Sequence, residues 1–230
     1  MITLSLLDIP LQPAALCTID PGPIHAMLSK VLRGSPTHDS MTTSSIFHSI
    51  TTILNALIRL RRDLVVHILP QLGMVLRQLV SCMRNLRPQL AAKQSRIVTD
   101  TLPSWIAPSE PLGVPEARAL ARLFTSLTAK TVPRIHMQPG TEQKAESLSK
   151  PFAKHAAYVV TAYIDAVNDP LCVMRVDVRR ELEPGLFSLC EMMGTHSRDA
   201  VMASALDTGG KSVMKALWKE YEKQRYVGKG

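Results

Sequence analysis

Apolar residues recur every three or four positions along most of this chain, and nowhere in a useful run of strict alternation. That period is the signature of helices that bury one face. The first strong stripe is Ile46, Ile50, Ile53, Leu54, Leu57 and Ile58, closed by Arg59, Arg61 and Arg62. Cations there suit the negative end of a helix dipole. From Asp63 a second segment, through Leu64, Ile68, Leu72, Leu76, Leu79 and Met83, is apolar on nearly every face. A helix of that kind belongs at the centre of a bundle, which makes Leu72 and Leu76 central. Pro70 lacks the amide that the ladder needs, so it must kink this helix or break it at Leu69.

Further helices follow at 115–130, with Ala117, Leu120, Ala121, Phe124 and Leu127 inward, and from Ser149, a capping residue with Pro151 in the first turn. The segment Val176 to Met193 is predicted to be its antiparallel partner, with Pro184-Gly185 forcing a kink. A last helix covers about 210–225. Two stretches lack periodicity: 95–113, with three prolines and Trp105, is a long connection, and 131–148 is polar, broken and expected to be disordered. Residues 1–40 form a separate region of short helices around the Asp20-Pro-Gly-Pro turn, and residues 41–230 form the helical domain. The apolar, uncapped start reads as a piece of a longer chain or a shifted gene start. The fold class is therefore all-α, with HEAT/armadillo-like stacked antiparallel helices and two long irregular connections.

Composition sharpens this picture. With 230 residues, 46% of them hydrophobic, the chain can bury a core, and aromatics at only 4% favour helix over sheet. A formal charge of +8 suits an acidic partner such as RNA. Cys17, Cys82, Cys172 and Cys190 are far apart and form no C-x-x-C pair, as expected of free thiols in a reducing compartment. No basic residue follows Met1 and Asp8 interrupts the short apolar start, unlike an export signal. The best membrane candidate, Leu64 to Met83, carries His67, Pro70, Gln71, Arg77 and Gln78, which argues against insertion.

Candidate chemistry is thin. Thr208-Gly-Gly-Lys-Ser212 ends like a phosphate-binding loop, but position 205 is alanine where the motif needs glycine, and the residues before it look helical. His155 has no serine, cysteine or carboxylate placed beside it by spacing and reads as structural. Glu181 and Glu183, two apart, point to different helix faces and form no acid/base pair. No histidine pairs with another ligand at metal spacing. We expect no enzyme activity, no metal, no cofactor and no small-molecule substrate. A small hydrolase built on Cys82 or Cys190 is the rival reading, and it requires a histidine beside that thiol. The strongest interaction signal is a basic stripe on the last helix, Lys211, Lys215, Lys219 and Lys223, running into Arg225, Tyr226 and Lys229. These are the candidate RNA- or partner-binding residues; stacking platforms for single-stranded RNA are otherwise missing.

Several blocks occur in a telling order: Leu60-Arg-Arg-Asp-Leu-Val-Val-His-Ile-Leu-Pro70 with Leu76-Arg-Gln-Leu, Pro151-Phe-x-Lys-His-x-x-Tyr158, Arg179-Arg-Glu-Leu-Glu-Pro-Gly185, and Leu217-Trp-x-x-Tyr-x-x-x-Arg-Tyr-Val-Gly228. Together they resemble the C-terminal region of the Urb/Npa family of nucleolar pre-rRNA-processing proteins, over about residues 45–230. The resemblance implies a large helical scaffold of the nucleolus, inside the nucleus. It implies work in early precursors of the large ribosomal subunit, beside assembly factors that include a DEAD-box helicase, with contacts to protein and pre-rRNA. It carries no catalytic residues to transfer. The contrasting expectation is a cytoplasmic helical-repeat adaptor with no role in ribosome assembly.

Overall fold

Thr42 opens the first helix described in full, its hydroxyl accepting the Ser45 amide at 3.3 Å, and α1 (Thr43–Leu60) then buries Phe47, Ile50, Leu54 and Ile58. This computed structural model describes residues 42–130 and 147–227, together with Ala26 and Ser29. The expectations for the N-terminal region, for 131–146 and for Lys229 fall outside the described residues.

The second apolar segment breaks where Pro70 predicts. A single helical turn, α2 (Arg62–Val65), runs through a 3-10 turn at Val66–Ile68, and α3 (Leu69–Ser81) restarts with Pro70 in its first turn. There the missing amide costs nothing, because first-turn amides have no partner inside the helix. Arg62–Ser81 is apolar enough to cross a membrane, with a mean hydropathy of 1.4 in its best window. Its apolar side chains instead fill the core: Leu72, Val75, Leu76, Leu79 and Val80 are all buried.

Among the described residues the remaining helices are α4 (Ala92–Thr99), α5 (Val114–Thr128), α6 (Ser149–Asn168), α7 (Val176–Ser204) and α8 (Thr208–Val227). They stack in two rows, α1–α5–α7 and α3–α6–α8, locked together where α6 packs on α7. Neighbours within a row are not neighbours in sequence; each is separated by a helix of the other row, as in stacked helical hairpins. Contacts fix the direction of stacking. Ser44 and Glu116 meet at the starts of α1 and α5, while Arg62 reaches the Ala129 carbonyl at 3.0 Å just past their ends. Arg118 of α5 grips Glu181 of α7 through two 2.9 Å bonds near the start of both helices. The fold is all-α.

Three local expectations need correction. The kink expected at Pro184-Gly185 is not there: α7 keeps helical φ and ψ at both residues, with Pro184 exposed and Gly185 buried against α5. The backbone leaves helical geometry ten residues later, at Gly194, with φ 69° and ψ 173°. Only glycine tolerates that combination well. Ser149 is the first helical residue rather than a cap, and the cap position is Leu148, buried, with its amide bonded to the Leu127 carbonyl at 3.1 Å. Finally, the 95–113 connection shares its first residues with α4, a helix with one buried side chain, Val98, and therefore no stripe to read.

The rest of that connection is pinned across the start of α1. The Thr43 hydroxyl accepts the Ala107 amide at 3.1 Å, Glu110 accepts the Thr43 amide at 3.2 Å, and the Trp105 ring leans on Phe47. A two-residue antiparallel ladder pairs β1 (Asn85–Leu86) with β2 (Cys172–Val173). Arg84 fixes it in place, bonding Asp169 at 2.9 Å, the Ser81 carbonyl and the Thr101 hydroxyl. That one guanidinium ties the ends of α3 and α6 to the connection.

Candidate interaction surface

The last helix is positioned from its first turn. The Asp207 carboxylate accepts the Gly210 amide at 2.6 Å and both of its oxygens bond the Asn168 side chain at 3.1 Å, seating α8 on the end of α6. A side chain on Gly209 would collide with Asn168. The Gly-Gly pair is thus explained by packing, and a carboxylate occupies the amide that a phosphate would seek. The phosphate-loop reading is excluded on these contacts.

From there α8 turns Met214, Leu217, Trp218 and Tyr221 into the core and leaves Lys215, Lys219, Lys223, Arg225 and Tyr226 exposed, with Lys211 half-buried. Tyr226 is 71% exposed. The basic edge predicted from the sequence therefore exists among the described residues. Lys223 is paired with Glu220 at 2.7 Å, three residues away.

Sequence reasoning missed the other wall of this surface. The break at Gly194 redirects the end of α7 so that Arg198 lies over the Trp218 ring, 4.9 Å from its centroid, and pairs with Asp199 at 2.6 Å. The Trp218 indole N–H donates to Glu222 at 2.9 Å. Between the two segments runs an open groove of about 290 Å³, with Met202 and Trp218 as its apolar part and Lys215 and Lys219 at its rim. The available signal was Gly194 itself, a lone glycine in a helical run beside a more conspicuous Pro-Gly pair.

The sequence's other candidates resolve into structure. His155 packs its Cβ against Gly73 and its ring 5.7 Å from Phe152; burial, aided by Lys154, holds its pKa below the usual value. Glu181 is held by Arg118, while burial, with the nearby Glu220 charge, raises Glu183, so the two carboxyls serve different neighbours. Cys82, Cys172 and Cys190 are buried free thiols. Burial pushes Cys82 far up and Cys190 up to about 12, the opposite of what a thiolate nucleophile needs. Neither thiol sits in the exposed, pKa-lowering setting that a hydrolase nucleophile uses.

The profile of the Urb2/Npa2 family matches residues 4–229, nearly the whole chain. The chain belongs to the Urb2/Npa2 family. No curated protein and no solved structure matches it. The Urb2/Npa2 family is one of nucleolar ribosome-biogenesis factors, and membership indicates a nuclear protein of ribosome biogenesis. The blocks that carried the Urb/Npa resemblance are mostly places where helices lock together: His155 on Gly73, Gly185 on Ala121, and Leu217, Trp218 and Tyr221 under α8.

Proposed function

We propose that this chain is a non-enzymatic scaffold in nucleolar pre-rRNA processing and assembly of the large ribosomal subunit. The observation that carries the reading is the family match over nearly the full length. The fold supports it: two rows of stacked helices offer long outer faces, which suit docking of other macromolecules. On this reading the partners are pre-ribosomal assembly factors, with the family resemblance adding a DEAD-box helicase, and pre-rRNA where basic faces meet phosphate. Lys211, Lys215, Lys219, Lys223, Arg225, Tyr226 and Lys229 form the contact surface. Depletion of the full-length protein tests this. Large-subunit precursors should fall while small-subunit precursors hold, and unchanged levels of both would overturn it. A tagged protein confined to the cytoplasm would favour the adaptor reading instead.

A further inference from the structure

We infer that the groove between the end of α7 and α8 takes an acidic helical segment of a protein partner, and that Lys215 and Lys219 select it by charge. This deepens the scaffold reading and rests on it.

Contacts within the chain engage the groove's other charged groups. Arg198 is committed to Asp199 and to the face of Trp218, Glu222 accepts the indole N–H, and Lys223 is paired with Glu220. Lys215 and Lys219 take part in no ion pair among the described residues, and both are exposed at the groove rim. Four residues apart on one helix, they stand about 6 Å apart along the axis. Carboxylates four apart on a docked helix repeat at that interval. Beside them the half-buried Met202 supplies an apolar contact over the buried Trp218, so an occupant with one apolar side chain next to its acids is matched in both respects.

The same geometry disfavours an RNA strand. A base needs an open aromatic face, and the Trp218 ring is buried beneath Arg198. A phosphate chain needs an unbroken cationic track, and Asp199 and Glu222 line this groove alongside the lysines. Those carboxylates oppose a uniform polyanion along the groove, whereas a protein segment can set its acids at Lys215 and Lys219 and a neutral or basic residue opposite Asp199 and Glu222.

Fluorescence anisotropy on the full chain tests this with two probes. One is a fluorescein-labelled helical peptide with glutamates four apart and a leucine on the same face; the other is a labelled oligouridine of equal charge. The peptide should bind more tightly than the oligouridine. Lys215→Glu with Lys219→Glu should weaken the peptide by about tenfold or more, since close charge pairs are reversed. Lys93→Glu with Lys130→Glu, an equal charge change elsewhere, should leave it unchanged. A peptide with lysines in place of the glutamates should regain binding to the Lys215→Glu, Lys219→Glu protein, which also shows that this protein is folded. Equal loss in both double variants, or tighter binding of oligouridine, overturns the inference. Co-sedimentation with ribosomal precursors is read separately. A chain that sediments with precursors yet ignores the peptide loses the groove assignment and keeps the scaffold reading. A chain that binds the peptide but never meets precursors loses the scaffold reading.

Discussion

Gly185 of α7 lies so close to Ala121 of α5 that an added Cβ would stand 2.7 Å from both its Cα and its carbonyl oxygen. Those atoms are backbone and cannot swing aside. Gly185→Ala should therefore force the two helices apart and cost about 1–3 kcal/mol, read as a lower midpoint in thermal or urea denaturation. Gly194→Ala should cost a similar amount for a different reason. Nothing lies within 4 Å of its added Cβ, but the backbone there has φ 69°, and holding alanine in that region costs about 1–3 kcal/mol. Unchanged stability in the first variant would show that α5 and α7 do not cross there.

Buried Glu116 should make the protein acid-sensitive. Burial works to raise its pKa, but bonds from the Ser44 hydroxyl and the Gly113 and Glu116 amides, with the nearby His48 charge, outweigh it and hold the carboxyl below its usual 4.5. A depressed folded value means the carboxylate's contribution is fully present above pH 4.5 and is lost as pH falls through the folded pKa. Glu116→Gln should flatten the loss of stability over that window, measured as denaturation midpoint against pH. Parallel curves for the two proteins would contradict this.

Leu76 has no exposed surface, whereas its neighbour Met74 is 47% exposed. Leu76→Ala should cost about 2–5 kcal/mol through the cavity it leaves. Met74→Ala should stay within about 0.5 kcal/mol. Similar melting shifts in both would place α3 at the periphery.

Much of this fold was legible because the core-forming helices are strongly periodic. Leu72, Leu76, Leu120, Phe124, Phe152 and Val160 are buried as their spacing requires, and Pro70 marks a true break. What stayed hidden depends on partners distant in sequence. Gly185 needed Ala121 to explain it, and α4 has too few buried positions to announce itself. The two-residue ladder is held by Arg84 and Asp169, which are 85 positions apart. For the surface, helical spacing placed the exposed lysines of α8 correctly. Arg198 and Met202 share a face by helical spacing, but only the kink at Gly194 sets that face against α8.

Arg84 and Asp169 should behave as one unit. Both side chains are largely covered, and the guanidinium also bonds the Ser81 carbonyl and the Thr101 hydroxyl. Arg84→Ala and Asp169→Ala should each destabilise, and the double variant should lose less than the two added together. A double-mutant cycle should return a coupling of about 0.5–3 kcal/mol, as for residues sharing one network. Strict additivity would mean the pair contributes nothing jointly.

Sedimentation of the tagged full-length protein through a density gradient tests the central claim most directly. The protein should travel with precursors of the large ribosomal subunit and shift to lighter fractions when those precursors are depleted. A protein that stays at the top of the gradient in both conditions would contradict a role as a pre-ribosomal scaffold.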